Sequence, residues 1–105
     1  MPAAERGKIW MIDLGLAAKP RPAVVLSVAF LDNERAVITY VPRTVSLRGT
    51  RSEIAHQARG FEPGAFDAQG IGGIPPVRLV RRLGTIDLPT LAKVESAVKA
   101  WLGLS

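Results

Sequence analysis

The sequence predicts a mainly β domain, a small half-open barrel completed by a C-terminal helix. Three observations predict it. Short runs rich in Val, Ile and aromatic residues recur along the chain, and Gly and Pro cut them at uneven intervals. Hydrophobic residues make up 48% of 105 residues, enough for one core and not for two, so a single domain over 1–105 is expected. Only the last stretch places apolar residues at helical spacing.

In chain order, residues 1–6 read as a loose terminus, and Gly7–Leu14 as a first strand ended by the breaker cluster Gly15–Pro20. Arg21–Val28 is a second strand, whose unbroken apolar run implies burial on both faces. Asp32, Asn33 and Glu34 supply turn chemistry, and Ala36–Pro42 is the third strand, the return arm of a hairpin. A basic loop, Arg43–Arg51, leads to a short strand near Ser52–Ala55. Gly and Pro dominate Arg59–Pro76, so only Gly70–Ile74 and Val77–Arg81 look able to form strands there. Leu91, Val94, Val98, Trp101 and Leu102 then share one helical face, with Asp87 as N-cap, Pro89 in the first turn and Gly103 at the stop.

Composition excludes several chemistries. There is no cysteine, hence no disulfide, no thiolate metal site and no thiol nucleophile. A single histidine, His56, cannot form a His-His acid/base pair, and a metal site would need an unusual set of carboxylates. No cofactor is expected. The glycines at 70, 72 and 73 lack the Gly-Lys-Ser/Thr ending of a phosphate loop. The longest apolar run, Ala23–Leu26 continued by Val28–Leu31, is too short for a bilayer, and no signal-peptide core is visible; a soluble, cytoplasmic protein without membrane contact is expected. Lys and Arg total 14 against 9 acidic residues, for a net charge of +5. Most of that charge is arginine, the better fork for phosphate oxygens, which points to a polyanion or an acidic protein partner.

Arginine and hydroxyls are what remain for chemistry. Arg21 stands between Pro20 and Pro22, which restrict the backbone and so the direction of its guanidinium. Thr44 lies where the third strand ends. If the second and third strands pair through the Asp32–Glu34 turn, Arg21 and Thr44 sit at comparable distances from it and converge on one patch, a plausible phosphate site. The plainer roles are a basic residue at a strand entrance and a threonine bonding its own loop.

Four stretches carry a resemblance. Arg6–Leu14 (RGKIWMIDL), Arg21–Ser27 (RPAVVLS), Val41–Thr44 (VPRT) and Leu83–Asp87 (LGTID) are similar, in order and spacing, to the MazF/PemK toxins of type II toxin-antitoxin systems. Pro63–Gly70 (PGAFDAQG) and Val80–Thr85 (VRRLGT) look like a shorter bacterial branch of that family. The resemblance implies a Src-homology-3-like barrel of the CcdB/MazF type, a homodimer with a cleft shared between subunits, and a cognate antitoxin with an acidic, disordered segment. It implies metal-independent cleavage of single-stranded RNA, in which the ribose 2′-hydroxyl attacks phosphorus and leaves a 2′,3′-cyclic phosphate and a 5′-hydroxyl. The family's active-site arginine falls on Arg21 and its threonine on Thr44.

Beyond that pair, Lys19, Arg43, Arg48, Arg51, Arg81 and Arg82 are candidates for RNA binding. The chain departs from the family pattern at Arg81 and Arg82, where many relatives carry an Asp-Gln pair. A carboxylate that aids proton transfer in some members is therefore missing. Asp67 is the nearest substitute in sequence, with a solvated loop residue as its plainer role, and His56 as a base is weighed against a structural histidine. Arg78, Arg81 and Arg82 form a basic run fit for an RNA groove or an acidic antitoxin segment. Trp10 and Trp101 read as core or dimer-interface residues, and Phe61 and Phe66 as packing residues beside a Gly-Pro turn, rather than as base-stacking platforms. The rival functions on the same fold are a gyrase poison of the CcdB type and a catalytically weak RNA- or antitoxin-binding member.

Overall fold

The computed structural model describes residues 4–15 and 19–104. Residues 1–3 of the expected loose start and 16–18 of the Gly15–Pro20 loop lie outside them. The described residues form seven strands and one α-helix: β1 Lys8–Ile12, β2 Arg21–Val25, β3 Ile38–Thr44, β4 Glu53–His56, β5 Gly64–Asp67, β6 Gly72–Ile74, β7 Leu79–Thr85 and α1 Leu88–Leu102. Every pairing is antiparallel, in the order β4-β5-β3-β2-β1-β7, with β6 on β3. The end strands β4 and β7 do not pair, so the sheet curls without closing. This is the expected half-open arrangement.

The expected double burial of the second strand follows from that curl. Val24 enters one core with Ile9, Val41, Phe66, Ile86 and the helix residues Leu91, Val94 and Val98. Its neighbours Ala23 and Val25 enter a second core, on the opposite face, with Trp10, Ile12, Ile38 and Ile74. Alternation at period two sends successive residues to the two cores, which is why no polar residue interrupts the run. The helix covers the first core. Asp87 accepts the Thr90 amide at 3.0 Å, and Gly103 ends the helix at φ 73°. Leu91, Val94 and Val98 are buried, whereas Trp101 and Leu102 stay exposed at the end of the helix.

The Arg6-Gly7 opening is structural. Gly7 takes φ 88°, its N–H donates to Val25 O and its carbonyl accepts from Ile86 N–H, joining the starts of β1 and α1 to β2. The Arg6 guanidinium donates to Leu26 O and pairs with Glu95 on the helix.

Three elements depart from expectation. β5 forms inside the Gly/Pro-rich stretch, because fully buried Phe66 and its neighbour Ala65 dock between β3 and β4. β3 runs on to Thr44 through Pro42, displacing the start of the expected loop. Its far edge pairs with β6 at Ile38–Tyr40 and with β5 from Arg43 onward, so the missing Pro42 N–H falls at the changeover between partners. The last strand is Leu79–Thr85 rather than Val77–Arg81, since Pro76–Arg78 is a 3₁₀ turn that the two prolines favour. Among the described residues no helix is long and apolar enough to cross a membrane.

Candidate active site

Arg21 is the first residue of β2 and Thr44 the last of β3. The β2–β3 register pairs Ala23 with Pro42. Continued by two residues, it sets Arg21 directly across from Thr44, on the same face of the sheet. Both line an open cleft of about 780 Å³ together with Met11, Pro20, Pro22 and Leu83. Lys19 and Arg21 each precede a proline and are held extended, so their side chains, two residues apart, leave the same side of a stiff segment. Arg21 is exposed. Thr44 Oγ1 accepts from Ser46 N–H at 3.0 Å, which orients the hydroxyl and leaves its proton free to donate into the cleft.

Arg43, one residue earlier, behaves differently. It is only 5% exposed. Its Nε donates to His56 Nδ1 at 2.9 Å, and Nη2 donates to His56 O at 2.8 Å and to Glu62 O. Phe61 lies against its guanidinium, 5.0 Å from ring centroid to Cζ. Burial lowers its pKa, with the Glu62 carboxylate acting the other way. Arg43 thus belongs to the wall of the cleft as a strut, and its guanidinium is not the free phosphate contact expected from the sequence. Gly64 permits this packing: a Cβ there would lie 2.6 Å from Thr44 O and 2.8 Å from Arg43 Nη1.

His56 is the other half of the strut and does not line the cleft. It is buried between Phe61 and Phe66, whose ring centroids lie 5.2 and 4.8 Å away, and its Nδ1 lone pair is taken by Arg43. Burial, then the Arg43 charge, push its pKa below the ordinary value, against a weaker pull from Asp87. Phe61 and Phe66 are packing residues, as expected.

The Arg81–Arg82 pair is split by the pleat. Arg81, opposite Met11, lines the cleft. Arg82, opposite Trp10, lies off the cleft, with Nη2 3.5 Å from Thr85 Oγ1. Arg78 pairs with Asp13 at 3.5 Å and does not join them. Arg48 and Arg51 also lie outside the cleft. The Glu53 carboxylate accepts the N–H groups of Arg48, Gly49 and Thr50, folding that loop back on β4, while Arg51 borders a separate groove beside Lys93 and Ala97 of the helix. Asp67, the sequence's substitute carboxylate, caps the 3₁₀ turn after β5 by accepting Gln69 N–H at 3.1 Å, and it too lies outside.

The cleft instead gains Ser46, Arg59 and Glu62, which sequence reasoning missed. Arg59 and Glu62 sit in the connection from β4 to β5, and only the unforeseen β5 brings that connection over β3. The Arg59-Gly60 pair, with Gly60 at φ 89°, is the one local sign of a turn presenting a cation. Among the described residues no three His, Cys, Asp or Glu side chains group as for a metal ion.

The profile of the PemK-like, MazF-like toxins of type II toxin-antitoxin systems matches residues 5–102. The chain belongs to this family. Solved structures agree on the fold. One described as an endoribonuclease from Mycobacterial species superposes with TM-score 0.82 at 24% identity, over 99% of this chain and 95% of that one. A second, described as an endoribonuclease in complex with its cognate antitoxin from Mycobacterial species, gives 0.83 at 23% over 96% of each. A MazE-MazF structure from Deinococcus radiodurans gives 0.84 at 22% over the whole of both. In this MazF-like toxin fold, Arg21 and Thr44 lie at one end of the sheet, in a cleft that Lys19, Arg43, Arg59, Glu62 and Arg81 also line.

Proposed function

We propose that this MazF-like toxin is an endoribonuclease that cuts single-stranded RNA at a short sequence motif, with Arg21 and Thr44 at the scissile phosphate. The observation that carries the proposal is the register of β2 and β3, which brings exposed Arg21 and the oriented Thr44 hydroxyl to the same end of the sheet, in a cleft rich in cations. Such a site suits a reaction whose nucleophile belongs to the substrate. The ribose 2′-hydroxyl attacks the adjacent phosphorus, and the protein aligns it and stabilises the charge gathering on the non-bridging oxygens. Arg21 offers a two-pronged donor and Thr44 a further one. The products are a 2′,3′-cyclic phosphate and a 5′-hydroxyl, and arginine supplies the positive charge without a metal. A single strand is required because in-line attack needs a splayed backbone that a duplex resists. Lys19, Arg59 and Arg81 then hold flanking phosphates.

The same cations suit an antitoxin with an acidic, disordered segment, which would cover the cleft by charge complementarity. The working unit is proposed to be a homodimer, since Phe30, Leu31, Trp101, Leu102 and Leu104 leave apolar surface that one chain does not bury.

The test is incubation of the purified protein with single-stranded RNA in chelator, followed by mapping of the new ends. New 5′-hydroxyl ends clustered at one short motif are expected. Ends bearing 5′-phosphate, or activity lost in chelator and restored by a divalent ion, would overturn the chemistry.

A further inference from the structure

Of the five cations that line the cleft, Arg43 is held as a strut and Lys19, Arg21, Arg59 and Arg81 can bind a phosphate, but protonated guanidinium and ammonium groups cannot accept another proton. The attacking 2′-hydroxyl must lose a proton. Among the described residues lining the cleft, Glu62 is the one carboxylate.

Its surroundings set it apart from the other acidic groups nearby. Asp67 caps a turn, and Asp87 caps the helix while accepting Thr90 Oγ1 at 2.7 Å. Asp13 pairs with Arg78 and accepts Gly15 N–H, and Glu53 is filled by three loop amides. His56 has its Nδ1 occupied and is buried. Glu62 is exposed and, among the described residues, makes no ion pair within 4.0 Å. Its main chain is nonetheless fixed, because Arg43 Nη2 donates to its carbonyl. A carboxylate unpaired among the described residues, on an anchored backbone, sharing one cleft with Arg21 and Lys19 at the β2 entrance, Arg43 on β3, Arg81 on β7 and Arg59 in its own loop, is an arrangement for proton transfer.

We propose that Glu62 is the general base of the cleft. This rests on the endoribonuclease activity proposed above. As the bond from O2′ to phosphorus forms and the bond from phosphorus to O5′ breaks, the 2′-hydroxyl proton passes to the Glu62 carboxylate. The carboxylic acid then returns a proton through solvent to the departing 5′-oxygen, so nothing is consumed. Glu62 enters the cleft from the β4–β5 connection, whereas the last strand contributes Arg81.

The test compares Glu62→Gln and Glu62→Asp with the wild type on a labelled single-stranded RNA carrying the site that the wild type cuts. Gln keeps the carbonyl that Arg43 holds, so the unfolding midpoint should not move. The single-turnover rate at saturating RNA should fall about 100-fold or more, while affinity is unchanged or tighter. The acid limb of the wild-type pH–rate profile should vanish in Glu62→Gln and survive in Glu62→Asp with part of the rate. If Gln lowers the midpoint, persistence of that limb in the Asp variant still supports the base and its loss overturns it. A Gln variant within about threefold of the wild-type rate, or one altered in affinity alone, overturns Glu62 and leaves the endoribonuclease standing. A wild type that produces no 5′-hydroxyl ends overturns both.

Discussion

Arg21 and Arg43 occupy facing ends of adjacent strands, yet the first is exposed in the cleft with no side-chain hydrogen-bond partner among the described residues, and the second is locked beneath the cleft wall. Sequence chemistry does not distinguish them, since each adjoins a proline and each lies in a basic stretch. The pleat does. With Arg21 across from Thr44, the position across from Arg43 is Pro22, so the two arginines leave opposite faces of the β2–β3 ladder. Arg43 meets His56, Phe61 and the carbonyls of the β4–β5 connection, and Arg21 meets solvent. A charge whose donors are filled by the protein holds structure. A charge left unfilled is available to a ligand.

The largest expected effect lies at Arg21. Arg21→Ala should reduce RNA cleavage by about 100- to 1,000-fold through lost transition-state stabilisation, with an unchanged urea midpoint. Arg21→Lys should recover little, because a point charge cannot reproduce two parallel donors. A folded Arg21→Ala protein that cuts normally would remove the distinction between the two arginines.

Arg43→Ala should show the reverse pattern. Removing its donors leaves unpaired the buried acceptors of His56 and the part-buried Glu62 carbonyl, at a cost of about 2–4 kcal/mol read by urea unfolding. Any loss of cleavage should then follow from displacement of the Arg59–Glu62 wall. A stable Arg43→Ala variant with weakened RNA binding would restore Arg43 as a phosphate contact.

The strut should also make stability depend on pH. His56 has a folded pKa below the ordinary 6.5, because burial and Arg43 disfavour its charged form. Its contribution is therefore complete above pH 6.5 and is lost as pH falls toward the depressed folded value, by at most about 1.4 kcal/mol per pH unit. Unfolding free energies at pH 7.5, 6.5 and 5.5 should show this slope in the wild type and not in His56→Gln. Equal slopes would place the sensitivity elsewhere.

The smallest effect separates Arg81 from Arg82. Arg81→Ala should lower the slope of RNA affinity against salt by about 0.7, the value for one phosphate contact to a single strand, and Arg82→Ala should leave it unchanged. Equal losses would mean that RNA wraps past the cleft onto the other face of β7.

Much of this was legible in residue order. The Asp87 cap, the Gly103 stop and the Leu91, Val94 and Val98 spacing specify the helix from local chemistry alone. The unbroken apolar run of β2 announced two buried faces, and the spacing of Arg21 and Thr44 from their shared turn announced that both border one cleft. Each of these depends on period or on neighbours close in sequence. β5 was not legible, because Gly64–Asp67 has little strand propensity and forms only against β3 and β4. With β5 went the placement of Arg59 and Glu62, the separation of Arg48 and Arg51 from the cleft, and the burial of Arg43. The sequence by itself determined which groups this protein has for chemistry, arginines and hydroxyls with few carboxylates and one histidine. Only the tertiary structure decided which of them are free, because whether a cation faces water or another chain segment depends on long-range pairing, which no local pattern records.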